Sequence, residues 1–141
     1  MNREDKNKII NDLSEKISSN PNFYLTDISG LNAEQTYMLR KLCFENDVEM
    51  LVVKNTLLEK AIERINKEDR FGEIFSVLRG NTSLMFTTKS NSPAKIIKKF
   101  RQQNSKPVLK AAFIEESLYI GDDQLDNLIN IKSREELIGD I

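Results

Sequence analysis

A chain of 141 residues, 39% hydrophobic and 30% charged, has enough apolar material for one core and little room for two domains. It contains no histidine and a single cysteine, Cys43, so the commonest general base is missing and neither an internal disulfide nor a thiolate metal site can form. Its net charge of −1 conceals an asymmetry: residues 1–110 carry 19 Lys+Arg against 14 Asp+Glu, and residues 111–141 carry 2 against 8, so nucleic-acid binding has to rest on local basic patches.

The opening Met1-Asn2-Arg3-Glu4-Asp5-Lys6 is charged, unlike a signal peptide, and no apolar run approaches the roughly 18 residues of a membrane span. A cytoplasmic chain without membrane contact is the expectation. Ile9, Ile10, Leu13 and Ile17 set a helical stripe over residues 3–19, ended by Asn20-Pro21. Residues 23–28 read as a strand closed by Ser29-Gly30. Asn32, with Gln35 three residues on, opens a helix over 33–46 whose inward side holds Met38, Leu39, Leu42 and Cys43. Val48 to Val53 is a short strand, and Lys54-Asn55-Thr56 turns it into a helix with Leu57, Leu58, Ala61, Ile62 and Ile65 inward.

A polar break near residues 66–70 precedes one or two helical turns carrying Phe71, Ile74, Phe75 and Leu78. Arg79-Gly80-Asn81 turns into a strand over 82–87, and Ser92-Pro93 opens a helix with Ile96, Ile97 and Phe100 inward. A strand over 108–114 follows, with 117–120 returning beside it as a hairpin. Gly121-Asp122 starts a helix with Leu125, Leu128 and Ile129, and Ser133-Arg134-Glu135-Glu136 starts another. The alternation suits a parallel α/β sheet, and equally a small α+β sandwich with helices against one face of a mostly antiparallel sheet. No phosphate-cradling glycine loop is present, and the pairs Glu115-Glu116 and Asp122-Asp123 read as solvated surface. No catalytic or metal-ligating residue is assigned and no cofactor is expected; the chain reads as a non-enzyme.

Four stretches taken in order resemble the "L-ten" family of large-subunit ribosomal proteins: Leu25-Thr26-Asp27-Ile28-Ser29-Gly30-Leu31, Val52-Val53-Lys54-Asn55-Thr56-Leu57, Arg79-Gly80-Asn81-Thr82 and Ser133-Arg134-Glu135-Glu136-Leu137. The second is the most specific. The resemblance implies a ferredoxin-like α+β domain over residues 1–130 that binds ribosomal RNA of the GTPase-associated region beside the neighbouring protein "L-eleven". It also implies that residues 131–141 begin a C-terminal helix, mostly absent here, that docks acidic stalk dimers and so recruits translational GTPases; Leu137 is the candidate stalk contact. Three positions depart from the family's usual pattern. Ser29 stands where an arginine is frequent, leaving a hydroxyl to meet phosphate or sugar. Asn81 replaces a proline, and Ile131-Lys132 replaces Leu-Pro.

The candidate RNA-binding residues are Lys54, Asn55 and Thr56, Arg3, Lys6 and Lys8, Ser29 and Gly30, and Arg79, Gly80 and Asn81. At a strand-to-helix junction a cation and helix amides can meet one phosphate, though Asn55 and Thr56 are also good helix caps. Arg3, Lys6 and Lys8 face either RNA or plain solvent, and Arg79-Gly80-Asn81 is also a reasonable simple turn. The largest cationic cluster, Lys95, Lys98, Lys99, Arg101 and Lys106, ranks below Lys54, because such clusters are usually solvated helix surface. Phe23, Tyr24 and Tyr37 fall in core-like patterns, so recognition should rest on backbone and shape. A competing reading is a protein-only adaptor that docks a partner through the acidic C-terminal segment.

Overall fold

The computed structural model describes residues 3–20, 22–65, 72–79, 82–114 and 117–131. In chain order the elements are α1 (Arg3–Ser19), β1 (Asn22–Asp27), α2 (Ala33–Glu45), β2 (Glu49–Val53), α3 (Asn55–Ile65), a 3-10 turn (Gly72–Val77), β3 (Thr82–Thr87), α4 (Ser92–Phe100), β4 (Val108–Ile114), β5 (Ser117–Ile120), a second 3-10 turn (Asp122–Gln124) and α5 (Leu125–Asn130). Local chemistry accounts for most of the boundaries. Glu4 and Asp5 sit in the first turn of α1 and Lys16 in its last, the charge order a helix dipole favours. Asn20 then donates to the Lys16 carbonyl at 2.6 Å and closes the helix. Asn32 and Gln35 form a complete capping box on α2. At α4 the flanking residue is Asn91, without a side-chain cap bond, so Ser92 is the first helical residue and not the cap.

The strands form one five-stranded sheet in the order β2-β3-β1-β4-β5, antiparallel at every pairing. The parallel α/β alternative is therefore excluded. Strands β1 and β2 run the same way with β3 inserted between them, and the order β2-β3-β1-β4 is the ferredoxin-like split βαβ arrangement, to which β5 adds a fifth strand. Helices cover both faces, not the single face that the sandwich alternative placed them on. On one side α1 and α3 pack Ile10, Leu13, Ile17, Leu58 and Ile62 against Phe23, Leu25, Leu84, Phe86 and Phe113. On the other, α2, α4 and α5 pack Leu39, Cys43, Ile97, Phe100 and Leu128 against Tyr24, Met50, Met85 and Ala112. Two-sided cover explains why β1 and β3 are buried along nearly their whole length, while the edge strand β2 exposes Glu49 and Val52.

Several side chains sit differently from the sequence reading. Tyr37 and Met38 were placed in core patterns, yet they are 66% and 55% exposed. Leu39 and Cys43 alone are fully buried on α2. Burial pushes the Cys43 thiol pKa up to about 12, with Arg40 pulling the other way, so this cysteine is packing material and not a nucleophile. Asp122 is no free surface charge. It accepts from the Arg101 guanidinium at 2.7 Å and from the Leu109 backbone N–H at 2.9 Å, tying the end of α4 to the start of β4.

Candidate nucleic-acid interface

The register of the sheet decides which loops meet. Val53 pairs with Thr82, Thr26 with Ser83, and Asp27 with Val108, so the ends of β1 and β2 lie beside the starts of β3 and β4. That end carries Ser29 and Gly30 after β1, Lys54, Asn55 and Thr56 after β2, and Arg79 before β3. Three segments far apart in sequence thus form one rim. Gly80 and Asn81, between Arg79 and Thr82, lie outside the described residues, as do Leu137 and the helix expected from Ser133.

The first helix points to the same end. Lys16, near its C-terminus, pairs with Glu49 at the start of β2 and lies over the Phe86 ring at 5.4 Å, which places that terminus at the far end of the sheet. A 17-residue helix is about 25 Å long against about 20 Å for a six-residue strand, so α1 is long enough for its first turns to reach the level of the rim. Arg3, Lys6 and Lys8 are all exposed there.

Each loop of the rim is held by identifiable bonds. The Leu31 N–H donates to the Ile28 carbonyl at 3.2 Å, making Ser29-Gly30 the centre of a tight turn. Gly30 has φ of 89°, the left-handed value a type II turn needs at its third position, and open space lies where a side chain would be. Asp27 accepts the Ser29 N–H at 2.8 Å and the Lys106 ammonium at 3.2 Å. Burial works to raise the Asp27 pKa, but the bonds from Ser29 and Lys106 outweigh it and hold the carboxyl below its ordinary value. A group held down in this way stabilises the fold above the ordinary carboxylate range and loses that contribution as pH falls through its folded pKa. Urea unfolding of Asp27→Asn should therefore show a deficit of about 1 kcal/mol at neutral pH that closes below about pH 4. A pH-independent gap would contradict this account of Asp27.

Asn55 does not cap α3. It accepts from the Thr82 hydroxyl across the β2–β3 pair, and the Thr82 oxygen in turn accepts from the Lys110 ammonium at 2.9 Å. Lys110 also donates to the Arg79 carbonyl. Burial pulls the Lys110 pKa down, Asp27 opposes that shift and Lys106 reinforces it. Lys54 is exposed at the head of α3, where its carbonyl accepts from the Leu58 N–H at 3.0 Å. Thr56 is exposed in that same turn. Among the described residues neither Lys54 nor Arg79 is held in an ion pair.

The larger cationic cluster is different. Lys98 pairs with Asp126 at 3.7 Å, Arg101 with Asp122 at 2.7 Å and Lys106 with Asp27 at 3.2 Å, leaving Lys95 and Lys99 as its exposed members without an ion pair among the described residues. Sequence counting overlooked those partners. It also overlooked Thr82 and Lys110 as parts of the rim, although a lone lysine in the otherwise apolar strand Val108–Ile114 was a usable signal. Among the described residues, no three His, Cys, Asp or Glu side chains gather as a metal site requires, and no helix is long and apolar enough to cross a membrane.

Residues 1–103 match the family described as "Ribosomal protein L10". The chain belongs to the ribosomal protein L10 family. It is 54% identical over 141 residues to the "Large ribosomal subunit protein uL10" of Christiangramia forsetii, covering all of this chain and 80% of that one. The protein of the same name from Flavobacterium psychrophilum is 52% identical over 141 residues, with all of this chain and 84% of the relative covered. The one from Salinibacter ruber is 38% identical over 142 residues, covering 99% and 78%. The resemblance drawn from the four motifs is thus confirmed at family level. The first two of those motifs, with Arg79 and Thr82 of the third, lie at the same rim of the L10-family sheet. The family is one of ribosomal structural proteins, not of enzymes.

Proposed function

We propose that the rim binds ribosomal RNA of the GTPase-associated region on the cytoplasmic ribosome, beside the neighbouring protein "L-eleven", and that the chain anchors the stalk there. The observation that carries this reading is the convergence of Lys54, Arg79, Ser29-Gly30 and the head of α1 on one end of the sheet, in a member of a large-subunit ribosomal family. Exposed cations at a helix N-terminus suit phosphate oxygens, and the open approach over Gly30 lets a sugar–phosphate backbone come close to the chain. Asn55 serves this surface indirectly, by fixing the junction from which Lys54 projects. The domain over residues 1–130 is the RNA-binding part, and residues 131–141, with Leu137, begin the segment that docks the acidic stalk dimers.

Binding by this surface is phosphate-led. Tyr37 and Phe44 are exposed aromatics, but they lie on α2, against the opposite face of the sheet from α1 and α3. A titration of the purified chain with a large-subunit RNA fragment from the GTPase-associated region, across salt, tests the proposal. Affinity should fall linearly on a log–log plot, with a slope of about −0.7 to −0.9 per phosphate neutralised. Absence of binding, with and without the neighbouring ribosomal protein, would overturn it and favour the protein-only adaptor.

A further inference from the structure

Strand β4 contains one residue too many for its partner. Leu25 pairs with Ala111 but Thr26 pairs with Leu109, so Lys110 is a β-bulge opposite the Leu25–Thr26 step. A bulge disturbs the strict alternation of faces and re-aims the side chain it carries. The backbone at the bulge is secured on its other side, where the Gly121 N–H donates to the Lys110 carbonyl at 2.9 Å. With that anchor, the Lys110 side chain crosses over β1, the strand between β4 and β3, a span of about 10 Å between strand axes. Its ammonium ends on two groups at the start of β3, the Arg79 carbonyl and the Thr82 hydroxyl, and Thr82 passes the link on to Asn55.

We propose that Lys110 is a positioning residue for the RNA-facing rim, clamping Arg79 and Thr82 at the entry to β3 and, through Thr82, the Lys54-Asn55 junction; this rests on the RNA-binding reading above. Three features support it. The ammonium is half-buried and directed at protein acceptors, so it is poorly placed to meet a phosphate itself. The link joins two loops that each carry an exposed cation, Arg79 on one and Lys54 on the other. The Thr82 hydroxyl, bonded to both the Lys110 ammonium and Asn55, is the point where the two loops are tied together. Holding both cations at a fixed separation removes conformational freedom that RNA binding would otherwise have to remove.

Lys110→Met keeps the aliphatic stem and deletes the donors, while Thr82→Val keeps the shape of Thr82 and deletes the hydroxyl. In the salt titration, both variants should bind about fivefold more weakly than the parent, the factor one hydrogen bond of ordinary strength corresponds to, with the slope unchanged. Hydrogen exchange at the Leu58 amide, measured without RNA, should quicken in both by a similar factor. A shallower slope in Lys110→Met with Thr82→Val like the parent would make Lys110 a direct phosphate contact and overturn the proposal. Parent-like affinity and exchange in both variants would overturn it as well. If the parent itself fails to bind RNA, the RNA reading falls, and the exchange measurement still decides whether Lys110 orders the rim. Thr82→Val carries the test should Lys110→Met not fold.

Discussion

Replacing Phe23 by alanine should cost about 3–5 kcal/mol, the largest single effect on stability expected from any substitution considered for this chain. Phe23 is fully buried at the second position of β1. Its cross-strand neighbours are Phe86 on β3 and Phe113 on β4, so three phenylalanines form a row across the three inner strands, near the end of the sheet away from the rim. The Phe113 ring stacks on it with centroids 5.6 Å apart, and the Phe86 ring lies tilted at 6.4 Å. Alanine would leave a cavity between two rings fixed to separate strands, beneath α1 and α3, with nothing free to collapse into it. Domains of this size are stable by about 5–15 kcal/mol, so a third or more of the total is at stake. Urea unfolding should show the midpoint falling by about 2 M. Val52→Ala on the exposed side of β2 is the contrast, expected within about 0.5 kcal/mol of the parent. A Phe23→Ala loss under about 1 kcal/mol would show that this row is not the centre of the core.

Most elements were legible from local chemistry. The Asn32–Gln35 capping box, the aromatic and β-branched run of β1 and the proline at the head of α4 each act within a few residues, where sequence order and spatial order coincide. What was hidden depends on distant partners. The same alternation of helices and strands serves a parallel sheet or an antiparallel one, and only the insertion of β3 between β1 and β2 decides. On α2 the apolar residues Tyr37, Met38, Leu39, Leu42, Cys43 and Phe44 wrap more than one face. Periodicity therefore cannot select Leu39 and Cys43 as the buried pair.

The site shows the same division. Lys54 and Arg79 were readable as loop cations beside strand ends, but their convergence is a property of register. The partners of the α4 cluster, Asp122, Asp126 and Asp27, are 21, 28 and 79 residues from the cations they pair with. Counting charges along the chain therefore overrates that helix. The bulge at Lys110 adds one residue to a strand pattern of period two; the lone lysine marks the place, but only the pairing with β1 shows that it is the extra residue.

The second large effect is on binding. The double substitution Lys54→Ala with Arg79→Ala removes two exposed cations from separate loops of the rim and disturbs no ion pair among the described residues. Stability should hold within about 0.5 kcal/mol, because both side chains are exposed and the Arg79 carbonyl that Lys110 uses belongs to the backbone. RNA affinity should fall at least about tenfold near 0.1 M salt, since charge-assisted contacts exceed neutral ones in strength. Losing two neutralised phosphates should also flatten the log–log salt slope by about 1.4 to 1.8.

The most direct test of the rim as the RNA-binding surface sets that variant beside Lys95→Ala with Lys99→Ala, which removes the same charge from α4, in one salt titration against the same RNA fragment. The account predicts a weaker, flatter titration for the rim variant and a parent-like slope for the α4 variant. A flattened slope in the α4 variant, with the rim variant unchanged, would contradict it and move the RNA to the opposite face of the sheet.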